Sequence, residues 1–296
     1  MLGVAAVLFA SVVWGTTGTA ATFAPDVGPM AIGAAAMGIG GLLQAALAWR
    51  GILRARDALR RHWRLVALGG LSVAVYPLAF YASMRLAGVT IGTVVTIGSA
   101  PLLSALIEYL FDGARLSLRW IMGAALGLAG IVLLSLAESA GHAAAGDRVL
   151  AGVALGLVGG LTYAAYSWAA RGLMLRGIRS RAAMGAVFGT GGIMLMPVLA
   201  ATGAPFLASW GNAAVGAYMA LVPMFLGYVA FGVGLARIPA STATTISLLE
   251  PVVAAMLAIA IVGERLQPAG WLGVALIIAC LGAITLPMPR RARAAA

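Results

Sequence analysis

Glu250 stands where a carboxylate is expensive. It lies in a largely apolar stretch, about residues 240 to 262, directly before Pro251 and after a run of hydroxyls at Ser241, Thr242, Thr244, Thr245 and Ser247. A charged side chain at the centre of a hydrocarbon layer costs at least ~2.5 kcal/mol. Proline removes a backbone donor and disrupts its helix. Both are tolerated only where a span faces protein or a water-filled cavity. Ser247 precedes Glu250 by three residues and therefore shares its helical face. Two chemistries fit: a carboxylate that contacts a polar solute or couples a proton, or a structural carboxylate that ties down a proline-broken helix.

Other polar and aromatic residues recur at helical spacing in otherwise apolar sequence. Thr93, Thr96 and Ser99 step by three, and Ser11, Trp14 and Thr17 form a stripe beside Gly18. Tyr76 and Phe80 flank Pro77, with Tyr81 four residues beyond that proline. Tyr163, Tyr166 and Ser167 form another stripe, and Tyr228 and Phe231 follow Pro223. Hydroxyls in such helices often bond their own backbone, and aromatic rings near span ends usually mark the interface. Tyr76, Tyr163 and Tyr228 fall near span centres, where the interfacial explanation weakens. Rings with hydroxyl tips suit a solute that has an apolar body and a polar end.

Catalytic patterns are absent from the sequence. His62 and His142 fall in polar breaks between apolar segments, and there is no Gly-x-Ser-x-Gly elbow, Walker A loop or Glu-x-x-His pair. We expect no enzyme activity, no cofactor and no metal. Cys280 is the single cysteine, which excludes an intrachain disulfide.

Elements able to position these residues follow from composition. The chain has 296 residues, of which 62% are hydrophobic and 9% charged. A soluble chain carries about a quarter charged residues, so this is an all-α membrane protein. A helical span needs roughly 20 apolar residues. Apolar runs predict ten spans, near 2–22, 29–49, 65–84, 89–110, 118–136, 149–170, 182–201, 213–235, 240–262 and 269–286. The first reads as a retained span rather than a cleaved signal. A net charge of +11 would suggest nucleic acid in a soluble chain, but all 19 basic residues are arginines lying mainly between spans. With ten spans, every arginine except Arg85, Arg148 and Arg265 falls on the side of the termini, 16 against 3. That bias predicts both termini in the cytoplasm and no nucleic-acid partner.

A shift of 150 residues aligns Pro101 with Pro251, Gly123 with Gly273, and Gly113-Ala114-Arg115-Leu116 with Gly263-Glu264-Arg265-Leu266. A shift of 149 aligns Gly3-Val4-Ala5 with Gly152-Val153-Ala154 and sets Trp14 against Tyr163. The expected organisation is a five-helix repeat over 1–136, a linker over 137–148, a second repeat over 149–286, and a basic cytoplasmic tail over 287–296. Because five is odd, the second half enters the membrane the opposite way, giving two inverted repeats. Transporters commonly use such halves by rocking them about a midplane site. Small-residue motifs such as Gly123-xxx-Gly127 serve helix packing and specify no oligomer.

Trp14-Gly15, Leu249-Glu250-Pro251, Gly263-Glu264-Arg265-Leu266 and the two five-span halves resemble the EamA-type drug/metabolite transporter superfamily. Within it the chain is most similar to YddG-like amino-acid exporters. The resemblance implies a central cavity lined by spans 1, 3, 4, 6, 8 and 9 and alternating-access export across a bacterial inner membrane. Small multidrug members carry a first-helix glutamate, which this chain lacks; sugar-phosphate members use mid-span basic residues, also lacking here. The expected substrate is an amino acid, aromatic or otherwise apolar, or a related metabolite, carried in one version by facilitated uniport. A multidrug or organic-cation effluxer proton-coupled through Glu250 is the alternative, and a non-transporting scaffold or receptor a remote one. Membrane lipid is the expected surrounding partner. Trp14, Thr17, Tyr76, Tyr81, Thr96, Ser99, Tyr163, Tyr166, Tyr228, Ser247 and Glu250 are the candidate substrate-binding residues. Pro77, Pro101, Pro223 and Pro251 are the candidate hinges, with breaks expected at Pro101 and Pro251. Glu108, near a span end, is expected at the interface.

Overall fold

The computed structural model describes residues 1–138, 146–262 and 266–286. Linker residues 139–145, Gly263-Glu264-Arg265 of the loop motif and the tail from 287 onward lie outside the described residues. Every regular element described is helical. In chain order the long helices are α1 (Leu2–Ala21), α2 (Pro29–Arg54), α3 (Trp63–Ala87), α4 (Val89–Asp112) and α5 (Leu118–Glu138). There follow α6 (Gly146–Leu175), α7 (Ser180–Thr202), α8 (Trp210–Leu235), α9 (Ala240–Ile261) and α10 (Pro268–Thr285). Among the described residues, nine carry stretches long and apolar enough to cross a membrane, and α5 carries an apolar run over Leu118–Leu134. Helices this apolar around their whole circumference are stable where lipid or other helices cover every face.

Three helices depart from regular geometry. In α2, residues Ala34–Ile39 form widened π turns, and in α8 the π turns Ala220–Gly227 carry Pro223. Widening relieves the clash a proline ring makes with the preceding turn. The sharpest departure is in α9, which stops at Ile246 and restarts at Leu249. Pro251 has no N–H for the Ser247 carbonyl, and that oxygen instead accepts from Glu250 N at 2.9 Å. The result is a tight turn directly before the Glu-Pro pair.

The break expected at Pro101 is not there. α4 runs unbroken from Val89 to Asp112 through that proline. Neighbouring helices pack closely on both sides of it. Gly98 packs on Leu128 and Ile131 of α5, and Ser99 Oγ occupies the place where a Cβ on Gly160 of α6 would stand. Pro77 likewise sits inside the continuous α3.

The principal packing partners are α3 with α6, α5 with α10, α2 with α7, α4 with α6, and α1 with α8 and α9. The core they enclose is aromatic and small-residue rich, and it runs through the level of Trp14, Tyr163, Tyr166, Phe188, Tyr228 and Phe231.

Candidate functional site

Five helices deliver rings to one connected cluster. Trp14 of α1 meets Tyr228 of α8 at 4.7 Å between centroids, Phe231 at 5.2 Å, and Tyr163 of α6 edge-on at 6.4 Å. Tyr76 of α3 reaches Tyr163 at 5.6 Å and Tyr166 at 5.9 Å, and it stacks on Phe80 at 5.9 Å. Phe80 continues to Tyr81 at 5.2 Å. Phe188 of α7 closes the group against Tyr228 at 4.4 Å and Tyr166 at 5.4 Å. The sequence reading gave α7 no lining role and so missed Phe188. An isolated phenylalanine in a wholly apolar helix carries no signal about which face it occupies.

Burial divides the cluster in two. Trp14, Tyr163, Tyr166, Phe188, Tyr228 and Phe231 are buried, and their polar tips are already used. Trp14 Nε1 donates to the Pro223 carbonyl at 2.9 Å, so the π turn of α8 is bonded to α1. The Tyr166 and Tyr228 hydroxyls share a 2.8 Å hydrogen bond, and Tyr163 donates to Ser247 Oγ at 2.9 Å. Ser247 in turn donates to the Thr244 carbonyl at 2.8 Å. Tyr76, Phe80 and Tyr81 are only partly buried, as are Thr17, Ser99 and Glu250. Tyr81 lies over α2, where a Cβ on Gly33 would stand 2.6 Å from its ring.

Glu250 follows the α9 break and sits where α9 packs closely on Gly15 of α1. A Cβ on Gly15 would meet the Glu250 carbonyl at 2.8 Å and Val253 Cβ at 2.6 Å. Tyr76, Tyr81, Tyr163 and Tyr228 all lie within electrostatic reach of its carboxyl group. Among the described residues, no side chain or backbone donor bonds that carboxyl. On the α4–α6 contact, Thr96 Oγ1 is buried without a hydrogen-bond partner, as is Ser167 Oγ on the tyrosine stripe of α6. Buried hydroxyls without partners are uncommon, and each asks for an explanation. Thr17 donates to the Trp14 carbonyl at 2.7 Å and Ser99 weakly to that of Thr96 at 3.4 Å.

Glu108 corrects the interfacial expectation. It is buried, and its carboxylate accepts from Ala240 N at 2.6 Å and Ser241 Oγ at 2.5 Å. An acid from α4 therefore satisfies the first free N–H of α9 and complements the positive end of that helix. Deeper by one turn, Thr244 donates to Ser104 at 3.2 Å. Arg171 of α6 supplies the opposite charge to the preceding helix: its guanidinium donates to the Leu235 and Ile238 carbonyls at 2.6 and 2.5 Å. Beside it, Trp168 Nε1 donates to Asp112 at 2.8 Å. This end of the bundle, where Gly3 also meets Arg237, is bonded across α4, α6, α8 and α9. The available signal was the position of Glu108 inside a predicted span, where an acid needs a partner.

Within the described residues no group of three or more histidine, cysteine or acidic side chains could hold a metal. What the site offers is a ring-lined wall, unbonded hydroxyls and one carboxylate.

Known proteins place this arrangement. The chain is 33% identical over 291 residues to an uncharacterized transporter of Bacillus subtilis, YwfM, covering 98% of this chain and 95% of the relative. It is 30% identical over 184 residues to a probable terminal-alkyne amino-acid exporter of Streptantibioticus cattleyicolor, covering 62% of this chain and 60% of that protein. A crystal structure with 20% sequence identity superposes with a TM-score of 0.76 over 96% of both chains, a likeness of fold. The model of the EamA-like transporter family matches residues 1–136 and 150–286. The chain therefore belongs to the EamA-like transporter family and is a transporter rather than an enzyme.

Proposed function

We propose that this protein exports amino acids, with apolar and aromatic side chains favoured, across a bacterial inner membrane by alternating access. The observation that carries the reading is the pairing of a ring cluster with a carboxylate that no donor among the described residues reaches, set at the break of α9. A zwitterion has an ammonium for Glu250 and a carboxylate for donors such as Thr96, while its side chain lies against Tyr76, Phe80 and Tyr81. The relative named as an amino-acid exporter supports the same substrate class.

The packing supports two inverted halves. Exchanging each helix with the one five places along converts α3 on α6 into α8 on α1, and α4 on α6 into α9 on α1, and it returns α2 on α7 and α5 on α10 to themselves. All of these are principal contacts. The aligned glycines play matching parts at opposite ends. A Cβ on Gly3 would stand 2.9 Å from Arg237 Cβ in the α8–α9 connection, and one on Gly152 would stand 2.5 Å from the Cβ of Ala87, the last residue of α3 before the α3–α4 connection. The sidedness of the arginines supports a cytoplasmic position for both termini. The end bonded by Glu108 and Arg171 is then the cytoplasmic one and is closed, while the partly exposed rings and Gly18 face the outward half. Pro251 and Pro223 mark where the two halves flex, with Pro77 and Pro101 carried in continuous helices.

Uptake of a labelled amino-acid panel into liposomes holding the purified protein, with and without an imposed pH gradient, tests the reading. Saturable flux of apolar amino acids is expected. Flux unaffected by the gradient marks a facilitated carrier, and gradient-driven flux marks a proton-coupled one. No flux of any amino acid overturns the substrate class. One observation favours a second reading: tyrosine rings around a lone carboxylate also suit a quaternary ammonium ion through cation–π contact. Flux of such a cation without amino-acid flux would select it.

A further inference from the structure

A cleft of about 300 Å³ opens at the arginine-rich end of the bundle, lined by Arg61, His62, Trp63, Arg64, Leu65 and Arg176. It lies where the α2–α3 connection meets the end of α6. Local structure explains its shape. Arg56–Arg61 forms a short surface helix with Leu59 buried beneath it and Arg60 and Arg61 exposed. Leu65 packs against α6, its Cδ1 3.4 Å from where a Cβ on Gly172 would stand, and floors the cleft. Arg176 is held at the rim by its own bond to the Gly172 carbonyl at 2.9 Å. The chain then turns away at Gly177, whose φ of 85° few other residues adopt.

The charge of this cleft is unbalanced. Three guanidinium groups line it and no carboxylate does. The one salt bridge among the described residues joins Arg56 to Asp57 at 3.7 Å, leaving the lining arginines without an acid. Topological bias accounts for arginines on this side of the membrane, but not for three converging on one apolar-floored cleft. The Arg64 guanidinium also lies 5.9 Å from the Trp63 ring centroid, and Trp63 is 60% exposed. Trp49 and Leu53, at the end of α2, are exposed as well. Cations over an aromatic ring beside exposed apolar side chains match the boundary between phosphate headgroups and acyl chains.

We infer that this cleft binds the phosphate of an anionic phospholipid in the leaflet at the arginine-rich end, distinct from the solute site. Guanidinium forks match phosphate oxygens bidentately, and basic pockets between membrane helices at this side take lipid headgroups. The bound lipid supplies the anion that the fold lacks and fixes the α2–α3 connection to the end of α6.

The experiment uses the full-length protein extracted from mixed phosphatidylglycerol and phosphatidylcholine membranes, with retained lipid read by native mass spectrometry. Wild type and Arg85→Gln, altered at the opposite end, should retain phosphatidylglycerol preferentially. The triple variant Arg61→Gln, Arg64→Gln, Arg176→Gln should lose that preference about tenfold or more. All three positions are exposed, so thermal unfolding in detergent stripped of lipid should stay as in wild type, which separates lost binding from lost fold. Undiminished preference in the triple variant overturns the site. Displacement of the lipid by inorganic phosphate at equal concentration overturns the lipid assignment in favour of a soluble anion.

Discussion

At the scale of single residues, the buried tyrosines and Glu250 have different duties, and two variants separate them. Tyr166 and Tyr228 satisfy each other at 2.8 Å in a fully packed setting. Removing one hydroxyl strands the other, which costs about 1–3 kcal/mol, whereas removing both can be nearly neutral. Tyr166→Phe should therefore lower the thermal stability of the purified protein, and Tyr166→Phe with Tyr228→Phe should recover most of the loss. Failure of the double variant to recover would mean that one hydroxyl has another partner. Glu250 is the converse case, a carboxyl with no protein donor among the described residues. Glu250→Gln should leave unfolding unchanged and cut flux roughly ten- to a hundredfold, the worth of a hydrogen bond to a charged group. Unchanged uptake rates would remove its proposed role. Much of this residue set was legible beforehand. Tyr76, Tyr163 and Tyr228 stood near span centres, where the interfacial explanation weakens, and they meet Trp14 in one cluster. Phe188 was not legible, because periodicity fails in a helix that is apolar on every face.

At the scale of elements, two prolines at equivalent positions behave differently, and only their neighbours explain why. Pro251 is preceded by a turn that redirects the Ser247 carbonyl, while α4 passes through Pro101 under packing from α5 and α6. Sequence alone placed both prolines correctly within their helices. It could not say which would break, since that depends on contacts made by residues about thirty and sixty positions away, such as Ile131 and Gly160. The free end of α9 is set against α1 at Gly15, where any side chain would enter the space of Val253 and the Glu250 carbonyl. Gly15→Ala should destabilise the protein by roughly 1–3 kcal/mol, as overpacking does. It should also depress flux, because α1 would be pushed off the Glu250 turn. An alanine variant with wild-type unfolding and transport would show that this helix pair is not held at close contact in the membrane.

At the scale of the whole molecule, hydrogen bonds join helices at both ends, Ser83 to the Gly152 carbonyl at one and Glu108 to α9 at the other, but the charged ones lie at one end alone among the described residues. Under the proposed alternating access that asymmetry sets which way the bundle rests. At the arginine-rich end, Glu108 holds the start of α9 and Arg171 holds the end of α8. The shift of 150 sets Ala258 against Glu108, and the shift of 149 sets Thr22 against Arg171, so the opposite end has no equivalent of either charge. Opening the arginine-rich end must leave Ala240 N–H and the Ser241 hydroxyl without their acceptor, a cost of about 1–3 kcal/mol for each unless water replaces it. A ligand moves such an equilibrium only by its differential affinity for the two states, so solute binding has to offset that cost. Glu108→Ala removes it in advance. Ser104, buried one turn deeper and bonded to Thr244, reports the change when replaced by cysteine in a Cys280→Ala background. With Glu108 present, a membrane-impermeant maleimide added from the arginine-rich side should label that cysteine slowly. With Glu108→Ala, labelling should accelerate by about tenfold, the population shift that 1.4 kcal/mol produces. Equal labelling in both backgrounds would mean that the bundle opens by separating other contacts and that Glu108 serves α9 as a cap alone.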